Sequence, residues 1–442
     1  MTQKRPRIRV VITTFLPYIG GAETQTLAQC QRLQEKGYDA QVITFRHNTA
    51  WPRKEKVRGV PTQRVAGSFL NNREKLPRLL QRVLYLLAML TMSWTVWRQR
   101  NEFDVLQVCQ CSALVLPLAI ICLLTHKPMT IVLISAGADK ASKSKEQARL
   151  LAGPLDPYLP WLAVADGTWI DGDLYGLQSA GPLVFNMTRT LLKHIQATMV
   201  VLSSRMERYL QKNAFDLPGT ICIPNGVDTV RFQPVAPQLQ SEDHIHTVVC
   251  VSKLRYEKGI DVLLQAWRLV HEQVPEAHLL LIGDGPLGTQ LKKLADVLGI
   301  TASVEFAGLK SDIPEQLHQG AINVLPSRWE GMPNALLEAM ACGLACVATR
   351  VSGSEDLIQH GFNGLLVETE DYEQMAQALI SLLRDSQLTR EYGAQARKTI
   401  EQRYALDHIT TQYVDVYQKV IAQKQLNTPK LTLPGTKRVV EG

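Results

Sequence analysis

Short β-branched runs alternate with longer stretches of helical periodicity along most of this chain. That alternation is the signature of βαβ units around parallel sheets buried on both faces. The first unit runs from Arg7 to Thr14 (RIRVVITT) through Gly20-Gly21-Ala22-Glu23 into a helix predicted over Thr24–Lys36, closed by Gly37. A second strand follows over Ala40–Phe45. Strands are predicted again at Phe103–Gln110, Met129–Ser135 and Thr198–Leu202, with helices at Ala113–Thr125 and Pro182–Gln196. A second series begins at Val248–Val251: helix Gly259–Gln273, strand His278–Ile282, turn Gly283–Pro286, helix Leu287–Leu298 and strand Val304–Phe306. Two such series give an α/β protein with two Rossmann-like domains.

Three stretches break the rhythm. Residues 47–76 are polar and basic with scattered prolines, and read as a loop-rich excursion. Helix Leu76–Arg100 is apolar almost all round in its middle and carries arginines at its ends. It is either buried or dips into a membrane surface, and burial is the reading its length favours, because the run Val83–Trp97 is too short and too mixed for a membrane span. Residues 137–182 mix a Lys-rich tract with Pro, Gly, Trp and Asp and show no clear element. The expected domains are residues 1–220 and 237–406, joined by a linker at 221–236. A helix at about Asp407–Gln425 is expected to cross back to the first domain, and a tail from Leu426 is expected to be disordered.

The chain is organised around residues 323–346, NVLPSRWEGMPNALLEAMACGLAC. A buried strand (Asn323–Leu325), a tight loop (Pro326–Pro333) and a helix (Asn334–Ala341) succeed one another, with Asn334 at the expected N-cap and Gly343 at the expected stop. Free N–H groups at a helix start suit a phosphate, and nearby Glu330 and Glu338 accept hydrogen bonds from hydroxyls. A ligand with a charged middle and hydroxyl-rich ends, such as a nucleotide sugar, satisfies both. Lys253 and Lys258, just after the strand that opens the second series, supply positive charge. Gly20 and Gly21 let backbone approach a phosphate closely.

Composition narrows the picture. Hydrophobic content of 45% and charged content of 20% belong to a globular protein long enough for two cores. Eight cysteines without a CxxC pair or a neighbouring His cluster read as reduced, mostly buried thiols of a cytosolic protein, and no metal site is expected. No signal peptide is legible at the basic N-terminus. Residues 1–100 carry a net charge of +13 and the remainder −6. Such asymmetry points to an acidic partner, an anionic membrane surface in preference to nucleic acid, since the arginines lack interleaved aromatics.

The string Pro326-Ser327, Glu330-Gly331-Met332-Pro333, Leu337-Glu338-Ala339 resembles the Glu-x7-Glu signature of the retaining glycosyltransferases of family four, which share the two-domain GT-B fold. Ile221–Pro234, Ser252–Gly259, Ser352–Ile358 and Gly361–Val367 extend that resemblance. It implies two Rossmann-like domains facing across a cleft, with a sugar passed from a nucleotide-diphosphate donor to an acceptor hydroxyl with retention, in polysaccharide or glycolipid assembly, without cofactor or metal. It also implies roles: Glu330 and Lys258 catalytic, and Lys253, Gly331, Met332, Asn334, Glu338, Gly20 and Gly21 on the donor. The acceptor is a saccharide or lipid-linked saccharide, met in the cytoplasm or at the inner face of the membrane. Two departures stand out: Lys253 replaces the family's Arg, and Ser135–Asp139 lacks the family's His, with Asp139 and Lys140 the nearest substitutes and Gln107 and Gln110 where further histidines are common. Those departures motivate an alternative, a catalytically inert nucleotide-binding scaffold. A nicotinamide oxidoreductase is disfavoured because Ile19–Glu23 is not GxGxxG.

Overall fold

The computed structural model describes residues 5–70, 77–134, 174, 177, 180–212, 215, 217–235 and 242–427. Among them, two sheets are formed. The first has strand order β3-β4-β2-β1-β5-β6-β7-β8, from β1 (Arg7–Val11), β2 (Asp39–Arg46), β3 (Lys54–Val57), β4 (Val60–Ala66), β5 (Val105–Cys109), β6 (Met129–Val132), β7 (Thr198–Val201) and β8 (Ile221–Cys222). The second has order β11-β10-β9-β12-β13-β14, from β9 (Thr247–Val251), β10 (His278–Ile282), β11 (Val304–Gly308), β12 (Ile322–Leu325), β13 (Ala345–Thr349) and β14 (Leu365–Val367). Pairing is parallel except between β3 and β4. This is the α/β GT-B architecture.

The strand order of each sheet reverses once beside its first strand, between β1 and β5 and between β9 and β12. At such a switch point the connections leave in opposite directions and open a crevice at the carboxyl ends of the strands. Those crevices receive the residues discussed below.

Several elements differ from the sequence expectation. Helix α1 is Gly21–Glu35, three residues earlier than its pattern indicated, so the glycine pair opens the helix instead of preceding it. Residues 47–76 are not simply a loop: β3 and β4 form a hairpin whose turn residues, Arg58 and Gly59, both have positive φ (47° and 91°). That is the turn geometry whose twist suits a two-residue hairpin. Helix α2 (Arg78–Arg98) is buried on one side only: Ala88, Met92 and Val96 are buried while Leu86, Leu90 and Trp94 are exposed. Among the cysteines Cys222 is exposed and the other seven are buried. The readings for Ser135–Asp139, Lys140 and most of 137–182 lie outside the described residues.

Two further helices, α3 (Val115–Thr125) and α4 (Pro182–His194), complete the layer that α2 begins, and α5 (Ser204–Lys212) follows β7. In the second half α6 (Ile260–Gln273), α7 (Gly288–Val297), α8 (Ile313–Leu317), α9 (Asn334–Ala341), α10 (Ser354–Leu357), α11 (Tyr372–Arg384) and α12 (Ser386–Arg403) surround the second sheet. The last helix, α13 (Leu406–Asn427), extends past Leu426, where the tail was expected to begin. It crosses back and packs on α1, and Tyr417 Oη donates to Gln107 Oε1 while Gln107 Nε2 donates to Gln29 Oε1. Gln107 is therefore a buried structural residue, not a ligand contact.

The two chain crossings meet. Val227 bridges Ala405, and a Cβ on Gly226 would lie 2.9 Å from Leu406 Cα, so only glycine allows this approach. Elsewhere Ser203 and Ser352 hydroxyls sit 2.6 Å apart, Ser204 donates to Asp356 and Arg205 pairs with Glu355. All three contacts join the first half to the second.

The most demanding electrostatic feature is Arg328, in the loop after β12. Its guanidinium is 6% exposed, pairs with the 8% exposed Asp261 of α6, and also meets Glu370, the Tyr256 carbonyl and the Tyr256 ring face. Burial works against the charge, but the hydrogen bonds it donates to Asp261 and Glu370 outweigh it and hold its pKa above the ordinary arginine range. Removing one partner of such a pair leaves an uncompensated buried charge. Asp261→Ala is expected to destabilise the protein by about 3–5 kcal/mol in denaturant unfolding, and Glu370→Ala, whose carboxylate is exposed, by under about 1 kcal/mol.

Candidate functional site

Lys253, Lys258 and Glu330 come from the carboxyl ends of β9 and β12, the two strands at the second switch point. Lys258 closes a short turn, Tyr256–Lys258, and Gly259 follows with φ 62°. A Cβ there would sit 2.1 Å from the Pro326 carbonyl oxygen. Glycine at 259 therefore allows the β12 loop to lie against the lysine turn, and the loop delivers Glu330. The Lys258 Nζ reaches Glu330 Oε1 at 2.6 Å, and Ser327 Oγ donates to the same oxygen at 2.7 Å. The pair is only partly accessible, 23% for Lys258 and 10% for Glu330. Burial opposes the lysine charge, yet the Glu330 carboxylate and its hydrogen bond raise the pKa above the ordinary 10.5, so Lys258 is a fixed cation at neutral pH.

The loop is held from several sides. Arg328 anchors its middle as described, Thr349 Oγ1 donates to the Ser327 carbonyl, and Ser352 Oγ donates to the Gly331 carbonyl. Gly331 and Met332 are buried, and Met332 belongs to the hydrophobic core. Their contribution to a ligand is therefore limited to main chain.

Asn334 is not the helix cap that its position in the sequence indicated. Pro333 is the N-cap and Asn334 is the first helical residue. Its side chain is engaged elsewhere: Nδ2 donates to the Gly21 carbonyl at 3.0 Å, and Oδ1 accepts from Asn225 at 2.7 Å. Asn334 thus ties the start of α9 to the start of α1 across the cleft. Gly20 lies on the same seam, because a Cβ built on it would be 3.6 Å from Lys253 Nζ and would collide with Glu23. Burial lowers the Lys253 pKa, with Glu23 opposing that shift. Glu23 in turn accepts from Thr14 Oγ1 at 2.5 Å.

Glu338 faces a different space. It borders a cavity of about 190 Å³ between α1 and the linker, whose walls include Arg32, Asp228, Arg231 and Asn334. Burial pushes its pKa up to about 7, against the opposing field of Arg231. The structure therefore brings Gly20, Gly21, Lys253, Lys258, Glu330 and Asn334 to one seam and places Glu338 one helical turn behind it.

Sequence reasoning missed Thr13 and His47 at the opposing switch point, where Thr13 meets Gln110. Thr13 Oγ1 donates to Gln110 Oε1 at 2.7 Å, and the His47 ring nitrogen lies 3.1 Å from the Thr13 carbonyl oxygen. Gln110 has φ 81°, a conformation costly for a residue with a side chain and often found at functional sites. Gln110 was noted only as standing where further histidines are common. His47 has no signal beyond its place at a strand end, because its partners come from distant segments.

Comparison with known proteins agrees with this geometry. A glycosyl transferase 4-like domain matches residues 20–226, and a glycosyl transferases group 1 domain matches residues 245–385. N-acetyl-alpha-D-glucosaminyl L-malate synthase of Bacillus anthracis is 35% identical over 174 residues, 39% of this chain and 45% of that protein. An Escherichia coli UDP-Gal:alpha-D-GlcNAc-diphosphoundecaprenol alpha-1,3-galactosyltransferase is 30% identical over 176 residues, 38% of this chain and 46% of that one. The matched stretch thus spans about half the length of these curated relatives. Among solved structures, Anabaena HepE in complex with UDP and glucose superposes with a TM-score of 0.67 at 17% identity, covering 94% of this chain and all of that one. The chain thus carries a glycosyl transferase 4-like domain over its first sheet and a glycosyl transferases group 1 domain over its second, in a GT-B fold.

Proposed function

We propose that the protein transfers a sugar from a nucleotide-diphosphate sugar to an acceptor hydroxyl, with retention at the anomeric carbon and without a metal ion. The observation that carries this reading is the Lys258–Glu330 pair, held by a rigid loop at the switch point of the second sheet. The relatives' names supply the class of donor and acceptor, since the E. coli relative acts from a UDP-sugar on a lipid-linked saccharide.

Each residue then has a task. As the bond from the anomeric carbon to the leaving oxygen breaks, negative charge accumulates on the diphosphate and positive charge on the sugar ring. Lys253, Lys258 and the N–H groups at the start of α9 stabilise the diphosphate, in the manner of an oxyanion hole. Glu330 accepts hydrogen bonds from sugar hydroxyls and places a carboxylate beside the ring. Glu338 accepts from the ribose. Lys253 in place of arginine keeps the charge but gives up the bidentate fork, so its hold on phosphate is that of a point charge.

Release of nucleoside diphosphate from a panel of UDP-, GDP- and ADP-sugars, with EDTA present, tests the reaction. Wild type is expected to release it from one donor class. Lys258→Ala and Glu330→Ala are each expected to lose about 100- to 1,000-fold in kcat, as for loss of one preorganised group that meets charge in the transition state. An NMR reading of the product anomer checks retention, and inversion would sink that part.

Glu338 generates a second prediction. Its raised pKa means that the unliganded protein holds a proton there below about pH 7. Ribose hydroxyls donate best to the ionised carboxylate, so donor binding expels that proton. Affinity for the active nucleotide sugar is expected to rise several-fold between pH 6 and pH 8 in calorimetric titration, with up to about tenfold per unit below the pKa. Glu338→Gln is expected to bind more weakly and with no such slope.

A further inference from the structure

The first sheet has a face covered by α2, α3 and α4, and among the described residues these helices turn apolar side chains outward and contain no carboxylate. On α2 the exposed residues Leu79, Val83, Leu86, Leu90 and Trp94 recur at spacings of three and four, which places them on one side of the helix. Leu86, Leu90 and Trp94 are 52%, 55% and 62% exposed. The opposite side of α2 is the one packed into the core. Helix α3 contacts both neighbours and adds exposed Leu124, and α4 adds exposed Leu183. An apolar surface built from three adjacent helices is larger than the scattered exposed leucines of an ordinary surface.

The charge pattern selects the occupant. None of the three helices contains an Asp or Glu, whereas α2 ends in Arg98 and the last turn of α4 holds Lys193 and His194. Arg98 and Lys193 are exposed. Apolar side chains in the middle with cations at the rim are the arrangement of a helix that lies in the plane of a bilayer interface. A nucleic acid would also repel carboxylates but would leave Leu86, Leu90 and Trp94 unburied, and a protein partner gives no reason for excluding carboxylates from three adjacent helices. An anionic lipid surface accounts for both, because its acyl boundary takes the apolar side chains and each acidic side chain would be repelled and desolvated there. No described helix is long and apolar enough to cross a membrane, so the contact is along a surface.

We infer that the α2–α3–α4 face docks the protein on an anionic lipid surface, with the apolar side of α2 entering the acyl boundary and Arg98 and Lys193 at the headgroups. This contact is independent of the transfer reaction, since vesicle binding requires neither donor nor acceptor.

Flotation of the full chain tests it, with vesicles of phosphatidylcholine alone and with 30% phosphatidylglycerol. Wild type is expected to float with the anionic vesicles, and to do so less as salt rises. Leu86→Glu/Leu90→Glu, at exposed positions that leave the core untouched, is expected to lower the bound fraction at least tenfold while retaining the wild-type melting profile. Leu183→Glu on α4 is a second variant expected to weaken flotation. The inference is overturned if wild type does not float, or if both variants float as wild type does. It is equally overturned if sedimentation shows a wild-type dimer that Leu86→Glu/Leu90→Glu splits, because the face would then belong to a second copy.

Discussion

The arrangement of the cleft depends on burying one guanidinium. Arg328 sits two residues before Glu330, and its plane is fixed by Asp261, Glu370, the Tyr256 carbonyl and the Tyr256 ring. Tyr256 belongs to the same short turn as Lys258. The guanidinium therefore fastens the loop that delivers the carboxylate to the turn that delivers the ammonium. Once that fastening exists, the 2.6 Å contact between Lys258 and Glu330 follows from geometry with little remaining freedom. A charge this deeply buried is costly to leave unpaired, so the loop has few alternatives. Preorganisation of this kind is what electrostatic catalysis requires, because dipoles already in place need not reorganise as charge develops.

A second set of polar contacts sets how the two halves meet. Asn225 of the linker, Asn334 of α9 and the Gly21 carbonyl form a chain of hydrogen bonds across the seam, and the Ser203–Ser352 and Arg205–Glu355 contacts reinforce it further along. The closeness of Lys253 to Gly20 belongs to the same seam. Because the Lys258–Glu330 pair lies on the second half and the glycine-opened helix on the first, the candidate site is assembled only when these contacts are made.

Much of this was legible from residue order alone, and the reasons for what was not are specific. Parallel strands announce themselves as continuous β-branched runs, so most of both sheets could be read, although β13 and β14 were not named as strands. The β3–β4 hairpin could not, because its strands are short, half polar and basic, and resemble a loop; the Arg58-Gly59 pair was the available signal. The string around Glu330 and Glu338 pointed to the candidate site, and Ser252–Gly259 pointed to Lys258, which the structure brings to Glu330. Its sequence did not reveal that Asn334 would spend its amide on the opposite domain, since a residue at a helix start reads as a cap until its long-range partners are known. Arg328 was passed over for the same reason: one arginine in a loop carries no mark of burial, and its partners lie 42 and 67 residues away. Gln110 and His47 depend on β1, β2 and β5 ending side by side, which only the strand order provides.

Helix α13 gives the molecule an unusual order of assembly. Tyr413, Tyr417 and Val420 are part of the hydrophobic core that includes β1 and β5, and Tyr417 satisfies the buried amide of Gln107. On the ribosome, β1 emerges some four hundred residues before Tyr417. The first sheet must therefore wait, one flank uncovered, while the whole second sheet is made. Synthesis thus separates the start of the first domain from its completion, and a nascent chain stalled within the second sheet would expose the apolar flank of α1 to chaperones and proteases. The domain that begins first is the one that finishes last.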